Sequence, residues 1–155
     1  MKKLKSPIIS KNFLYLKSEY NASGRHCTRI IEPKKEILVE KTPKEVIDDT
    51  LKYFCYDLKG ALKGAKSIIG NKKFCPVNLY PAHNIIIFPY KAMDSDDNIW
   101  FNSNLIDSAQ PSGIKATQVL FDGGQKLLVN SSYRCFNIKL LIADQLWKVN
   151  NKRSF

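Results

Sequence analysis

Residues 116–149 read ATQVLFDGGQKLLVNSSYRCFNIKLLIADQLWKV, and this stretch decides the fold class. Ala116 to Phe121 and Lys126 to Val129 are two short runs with the residue types strands favour, and Asp122-Gly123-Gly124 between them is a hairpin signature. Ser131-Ser132 then supplies a helix cap, after which Tyr133, Phe136, Leu140, Ala143 and Trp147 recur on one helical face. Together these signals predict a hairpin followed by a helix over about 133–149. Ile138, Leu141, Ile142 and Leu146 widen the helix's apolar face beyond a single core contact. That face suits either a helix laid across the sheet or one that also closes a homodimer.

Upstream, Val77 to Leu79, Ile85 to Phe88 and Ile99 to Ile106 read as further strands, as do Ser67 to Ile69, Phe13 to Leu16, Thr28 to Ile31 and Ile37 to Val39. Thr42-Pro43-Lys44-Glu45 is a capping box with proline at the first helical position. Val46, Ile47, Leu51, Phe54, Cys55 and Leu58 follow at helical spacing and predict a helix over about 43–58. Lys59-Gly60-Ala61-Leu62-Lys63-Gly64-Ala65-Lys66 then reads as its lysine-rich C-terminal cap, or as backbone able to approach phosphates. The expectation is an α+β chain forming a single domain over 1–155. It has a mostly antiparallel β-sheet with two main helices, about 43–58 and 133–149, and is frayed at 1–10 and 150–155.

With 25 Lys and Arg against 14 Asp and Glu, the 155-residue chain carries a formal charge of +11, which gathers polyanions around it. The charge is blocked. Residues 1–35 hold nine basic and two acidic side chains, 52–73 hold six and one, and 134–153 hold five and one, while 36–49 and 74–133 are net acidic. Three basic blocks divided by acidic ones fit one positive face, the footprint of a nucleic-acid binder, or three separate solvated patches, and the expectation is one face.

Other classes are disfavoured. Met1-Lys2-Lys3-Leu4-Lys5 is not followed by the apolar run of an export signal, and the longest apolar stretches fall far short of a bilayer. Cys27, Cys55, Cys75 and Cys135 form no C-x-x-C pair and, with His26 and His83, no zinc spacing, so they read as buried free thiols in a reducing cytoplasm. G-x-S-x-G, H-E-x-x-H and the nucleotide-binding glycine motifs are missing, and Asp94-Ser95-Asp96-Asp97 lacks the glycine and terminal glutamate of a calcium loop. The expectation is therefore no catalytic residues, no metal and no cofactor.

Several segments together resemble the ComK family of competence transcription factors. They are Arg25-His26-Cys27-Thr28-Arg29-Ile30-Ile31-Glu32; Gly60-Ala61-Leu62-Lys63-Gly64; Tyr80-Pro81 with Asn84 to Pro89; the Trp100 strand; and Thr117 to Phe121 through the glycine turn to Asn130-Ser131-Ser132-Tyr133. Colinear from about residue 12 to 150, the set is more specific than any one of its motifs. The resemblance implies a cytoplasmic activator of DNA-uptake genes that binds double-stranded DNA as a homo-oligomer, reading paired AT-rich A-tract and T-tract boxes through the minor groove. A narrow A-tract groove carries strong negative potential and draws in basic side chains with little base-edge readout. On that reading Arg25 and Arg29 are groove or phosphate contacts, and Lys59, Lys63, Lys66, Lys72 and Lys73 are phosphate contacts. Family members continue past the last helix into a charged tail that a proteolytic adaptor recognises. This sequence stops at Phe155 and reads as a truncated chain or a shortened paralogue.

Two alternatives compete. A shortened homologue could pair with a full-length partner and modulate it without activating transcription, or the chain could bind RNA through Tyr53, Tyr56 or Trp100 as stacking platforms.

Overall fold

The computed structural model describes residues 7–93 and 95–153. Asp94 and the outermost residues expected to fray, 1–6 and 154–155, lie outside the described residues.

The expected α+β class holds, with two antiparallel sheets and three helices where two were expected. Strands β1 (Tyr15–Tyr20), β2 (His26–Ile31) and β3 (Glu36–Val39) form one meander, and β4 (Val77–Tyr80), β5 (Ile85–Pro89) and β6 (Ile99–Asn102) a second. Pairing of β1 with β6 joins them into a six-stranded sheet ordered β3-β2-β1-β6-β5-β4. Between β3 at one edge and β4 at the other, the chain crosses one face as α1 (Pro43–Tyr53) and α2 (Leu58–Ile69). After β6, a short 3-10 turn at Ser103–Leu105 leads to a second sheet on the other face, β7 (Ile106–Pro111), β8 (Thr117–Phe121) and β9 (Lys126–Val129), and then to α3 (Tyr133–Lys152).

Alternation along the strands feeds two cores. Leu16, Ile30, Val77, Ile87 and Trp100 face α1 and its Val46, Ile47 and Leu51. Leu14, Ile86, Phe88 and Phe101 face Val119 and Phe121 of the second sheet and Phe136, Ala143 and Leu146 of α3. Trp100 and Phe101 are adjacent, so they point to opposite faces, and both are fully buried. Trp100 is thereby removed from any stacking role, whereas Tyr53 and Tyr56 are exposed.

The expected helix over 43–58 is two helices. Its start is as read: Thr42 accepts from the Glu45 amide and the Glu45 side chain reaches back to the Thr42 amide. Its end falls at Phe54, because the Tyr56 amide donates to the Leu51 carbonyl at 2.9 Å and the Cys55 amide to that of Lys52 at 3.0 Å, a Schellman closure. Cys55 sits at the position glycine usually takes, with φ +69°. The apolar spacing ran through the break because Leu51 and Leu58 enter the same core. A left-handed conformation costs a residue with a Cβ about 1–2 kcal/mol. Cys55→Gly therefore raises unfolding stability by about 0.5–1 kcal/mol, part of the relief being offset by glycine's freedom in the unfolded chain, read as a higher urea midpoint at unchanged slope.

Other boundaries also move. The Asp57 carboxylate accepts from the Gly60 amide at 2.7 Å and caps α2, so the glycine-lysine segment is helical and Ser67 to Ile69 is its last turn, where a strand was expected. The strand expected over 99–106 breaks at Asn102, which is fully buried and donates to the Phe13 carbonyl at 3.0 Å, turning the chain out of the first sheet. Ile9, expected in a frayed terminus, is fully buried, and α3 runs past Val149 to Lys152. Among the described residues no helix is long and apolar enough to cross a membrane.

Candidate nucleic-acid interface

Lys59, Lys63 and Lys66 fall at i, i+4 and i+7 of α2 and are all exposed, so they make one stripe along a flank of the helix, beside the buried Leu58, Ala65 and Ile69. Lys72 and Lys73 follow in the exposed turn after Gly70, which closes the helix at φ +87°. None of these five ammonium groups has an ion pair or side-chain hydrogen bond among the described residues.

The turn leads directly to Phe74, whose ring lies 4.1 Å from Lys139 Nζ of α3. Lys139 also donates to the Tyr90 carbonyl, and desolvation pulls its ammonium below the usual lysine range. Phe74, Lys91 and Lys139 line one shallow depression with Asn130, Ser131 and Ser132 at the start of α3. The basic path thus runs from α2 through the 72–73 turn to the N-terminal end of α3, where Arg134 is exposed without a partner among the described residues. Further along, Lys115 is likewise exposed and unpaired in the loop between β7 and β8. Sequence reasoning missed both residues. Lys115 was hidden by averaging in the acidic block 74–133, and Arg134 was counted only as part of a basic block.

Arg25 and Arg29 are placed elsewhere. Arg29 shares a strand face with Cys27 and Ile31, while its neighbour Ile30 packs with α1, so Arg29 points to the opposite side of the six-stranded sheet from α1. There it meets Glu19 at 2.6 Å and Glu36 at 3.0 Å, two carboxylates around one guanidinium. Arg25, in the turn between β1 and β2, is 73% exposed and lies 3.5 Å from Glu40. The three basic blocks therefore do not all share the flank that the lysines make.

The hydrogen bond from Arg29 holds the Glu19 carboxyl below its ordinary value of 4.5. A depressed acid contributes stability that is complete above its unfolded value and fades as pH falls through the folded one. Arg29→Gln should consequently lower the urea midpoint at neutral pH and flatten its decline as pH drops below about 4.5. An unchanged pH dependence would mean that the pair is not formed.

One arrangement looks like a nucleophile with a base: Ser18 beside the His26 ring. Ser18 Oγ also lies 2.6 Å from the Asp96 carbonyl, which can only accept. The single hydroxyl proton is committed to that carbonyl, so His26 Nε2 must donate to Ser18 and cannot take its proton. All four cysteines are free thiols; Cys27 and Cys75 are buried as expected, but Cys55 and Cys135 are exposed. No group of three or more His, Cys, Asp or Glu able to hold a metal occurs among the described residues.

Comparison with known proteins gives two matches of one kind. The sequence model of the family described as "ComK protein" matches residues 4–154. The competence transcription factor of Bacillus subtilis (strain 168) is 21% identical over 113 residues, which is 73% of this chain and 59% of that protein. The match thus spans less than two-thirds of the relative's length. No solved structure matches with comparable significance.

Proposed function

The chain belongs to the ComK family, and from that premise we propose that it is a DNA-binding transcriptional activator of competence genes, acting on double-stranded DNA without catalysis. The finer reading is recognition of AT-rich A-tract and T-tract boxes through the minor groove, by a homo-oligomer in the cytoplasm. The observation that carries the DNA contact is the row of exposed ammonium groups, without ion pairs among the described residues, at Lys59, Lys63, Lys66, Lys72 and Lys73, to which Lys115 and Arg134 are added. Charge that neutralises nothing within the protein is free to displace counterions from phosphates. Arg29 is held between two carboxylates, whereas Arg25, largely exposed beside Glu40, stays among the proposed contacts.

Titration of the purified chain against duplexes with and without spaced A-tracts, over a range of salt, tests this. Five or six phosphate contacts give log K against log salt a slope of about −5 per chain, and about twice that for a dimer. Shape readout adds preference for the A-tract duplex. A shallow slope with weak binding would remove DNA as the ligand; a steep slope without preference would keep the charge contact and remove the groove reading.

A second reading, an interaction protein that pairs with a longer homologue, is favoured by α3. Its Ile138 and Leu141 are about half exposed, and Leu140, Leu141 and Trp147 line a depression of about 430 Å³ against Ile106. A contiguous apolar face of this kind suits a protein partner. In that case DNA affinity is weak and chain-chain affinity strong.

A further inference from the structure

The hairpin of β7 and β8 ends in an apex that the fold does not use. Residues from Gln110 to Lys115 are all exposed, and Ile114 is 92% exposed, the highest among the exposed large hydrophobic side chains. The loop is built rather than loose. The Ser112 amide donates to the Ala116 carbonyl at 2.9 Å, Gly113 takes φ +83°, and Pro111 pairs with Thr117 across the ladder. Thr117 Oγ1 also donates to the Ser131 carbonyl at 2.7 Å, which ties the base of the loop to the start of α3. Turns of this sort favour glycine, asparagine, aspartate and serine. A β-branched aliphatic residue held at the apex in water meets no local need.

Below the apex, Gln110 and Gln118 are direct cross-strand partners, so their exposed amides lie side by side on one face of the ribbon. Lys115 flanks the apex, and no carboxylate occurs between Asp107 and Asp122, which lie toward the far end of the hairpin. The ribbon therefore presents an aliphatic tip, a pair of amide donors behind it and a positive charge beside it. Those are the elements of a minor-groove arm: amides suit the adenine N3 and thymine O2 acceptors, and an aliphatic wedge can unstack neighbouring base pairs.

We propose that the β7–β8 hairpin enters the minor groove with Ile114 wedged between adjacent base pairs, so that the bound DNA is kinked. This rests on the DNA-binding reading above and adds to it a residue and a deformation. Lys115 and Arg134 then hold phosphates on either side of the arm, and Gln110 and Gln118 contact the A·T edges behind the wedge.

The experiment uses the whole chain and an A-tract duplex carrying a donor and acceptor dye at its ends and 2-aminopurine within the site, with affinity followed in parallel by anisotropy. Wild-type protein is expected to shorten the end-to-end distance, consistent with a bend in the range of about 20–90°, and to raise 2-aminopurine emission as the base unstacks. Ile114→Ser removes no packing, so the variant folds. It is expected to keep measurable binding with the same salt slope while losing both the bend and the emission change, and Ile114→Leu restores them. Gln110→Ala with Gln118→Ala reduces the preference for A-tract over mixed duplex. If wild-type protein binds DNA without bending or unstacking it, or if Ile114→Ser bends and unstacks like wild type, the wedge is wrong and the DNA-binding reading stands. If wild-type protein fails to bind any duplex, both are wrong.

Discussion

Exchanging Lys59, Lys63 and Lys66 together for glutamate is expected to lower affinity for duplex DNA by about a thousandfold at low salt. Each exchange removes an attraction and adds a repulsion, about 2 kcal/mol in water at contact distance. Screening by salt reduces the sum for three sites to about 4 kcal/mol, and more so as salt is raised. The three side chains are exposed and carry no internal partner, and glutamate is a good helix former. The circular dichroism and thermal midpoint should therefore stay close to wild type, and fluorescence anisotropy with a labelled duplex reads the loss. Undiminished affinity in a folded triple variant would take the DNA off α2.

Phe101→Ala carries the largest expected effect on stability, a loss of about 3–5 kcal/mol. Phe101 is fully buried in β6, and its ring meets those of Phe88 at 5.5 Å, Phe136 at 5.2 Å and Phe121 at 6.3 Å. One side chain thus joins the first sheet, the second sheet and α3. Truncation leaves a cavity bordered by rings from all three, which cannot collapse onto it without moving an entire layer. Chemical denaturation measures the loss, and a cost below about 1 kcal/mol would show that the layers are not coupled through this ring.

Where a turn needs an unusual backbone and the sequence supplies glycine, the structure was legible. Asp122-Gly123-Gly124 puts φ +95° and +96° at its two glycines, and β9 spans the predicted residues. The caps at Thr42 and Ser132 were equally plain. The end of α1 was not, because its left-handed position is filled by Cys55, a residue type that carries no turn signal. The lysine stripe is visible as a charge block but reads as a cap, since Asp57 can be recognised as the start of a new helix only once the old one is known to stop. The pairing of Arg29 could not be read at all. Glu19 lies opposite Cys27 and Glu36 opposite Ile31, so both carboxylates reach Arg29 from diagonal positions that exist only once the strand register is set. The exposed Ile114 gave no signal either, because an isoleucine in a sequence looks the same whether its fold buries it or holds it out.

The six-stranded sheet consists of two meanders, each closed by short connections, and a single seam where Tyr15 pairs with Phe101 and Lys17 with Ile99. Each meander can form from neighbouring sequence, while the seam must bring together residues 82 to 86 positions apart. The entropy of closing so long a loop is not recovered until the strands meet, so the seam is expected to form last. Until then β1 and β6 each present an unpaired edge, and those edges are as complementary to another copy's strands as to each other. A chain whose refolding is rushed at high concentration is therefore expected to lose material to exchanged pairing at this seam, and dilution during refolding to recover it.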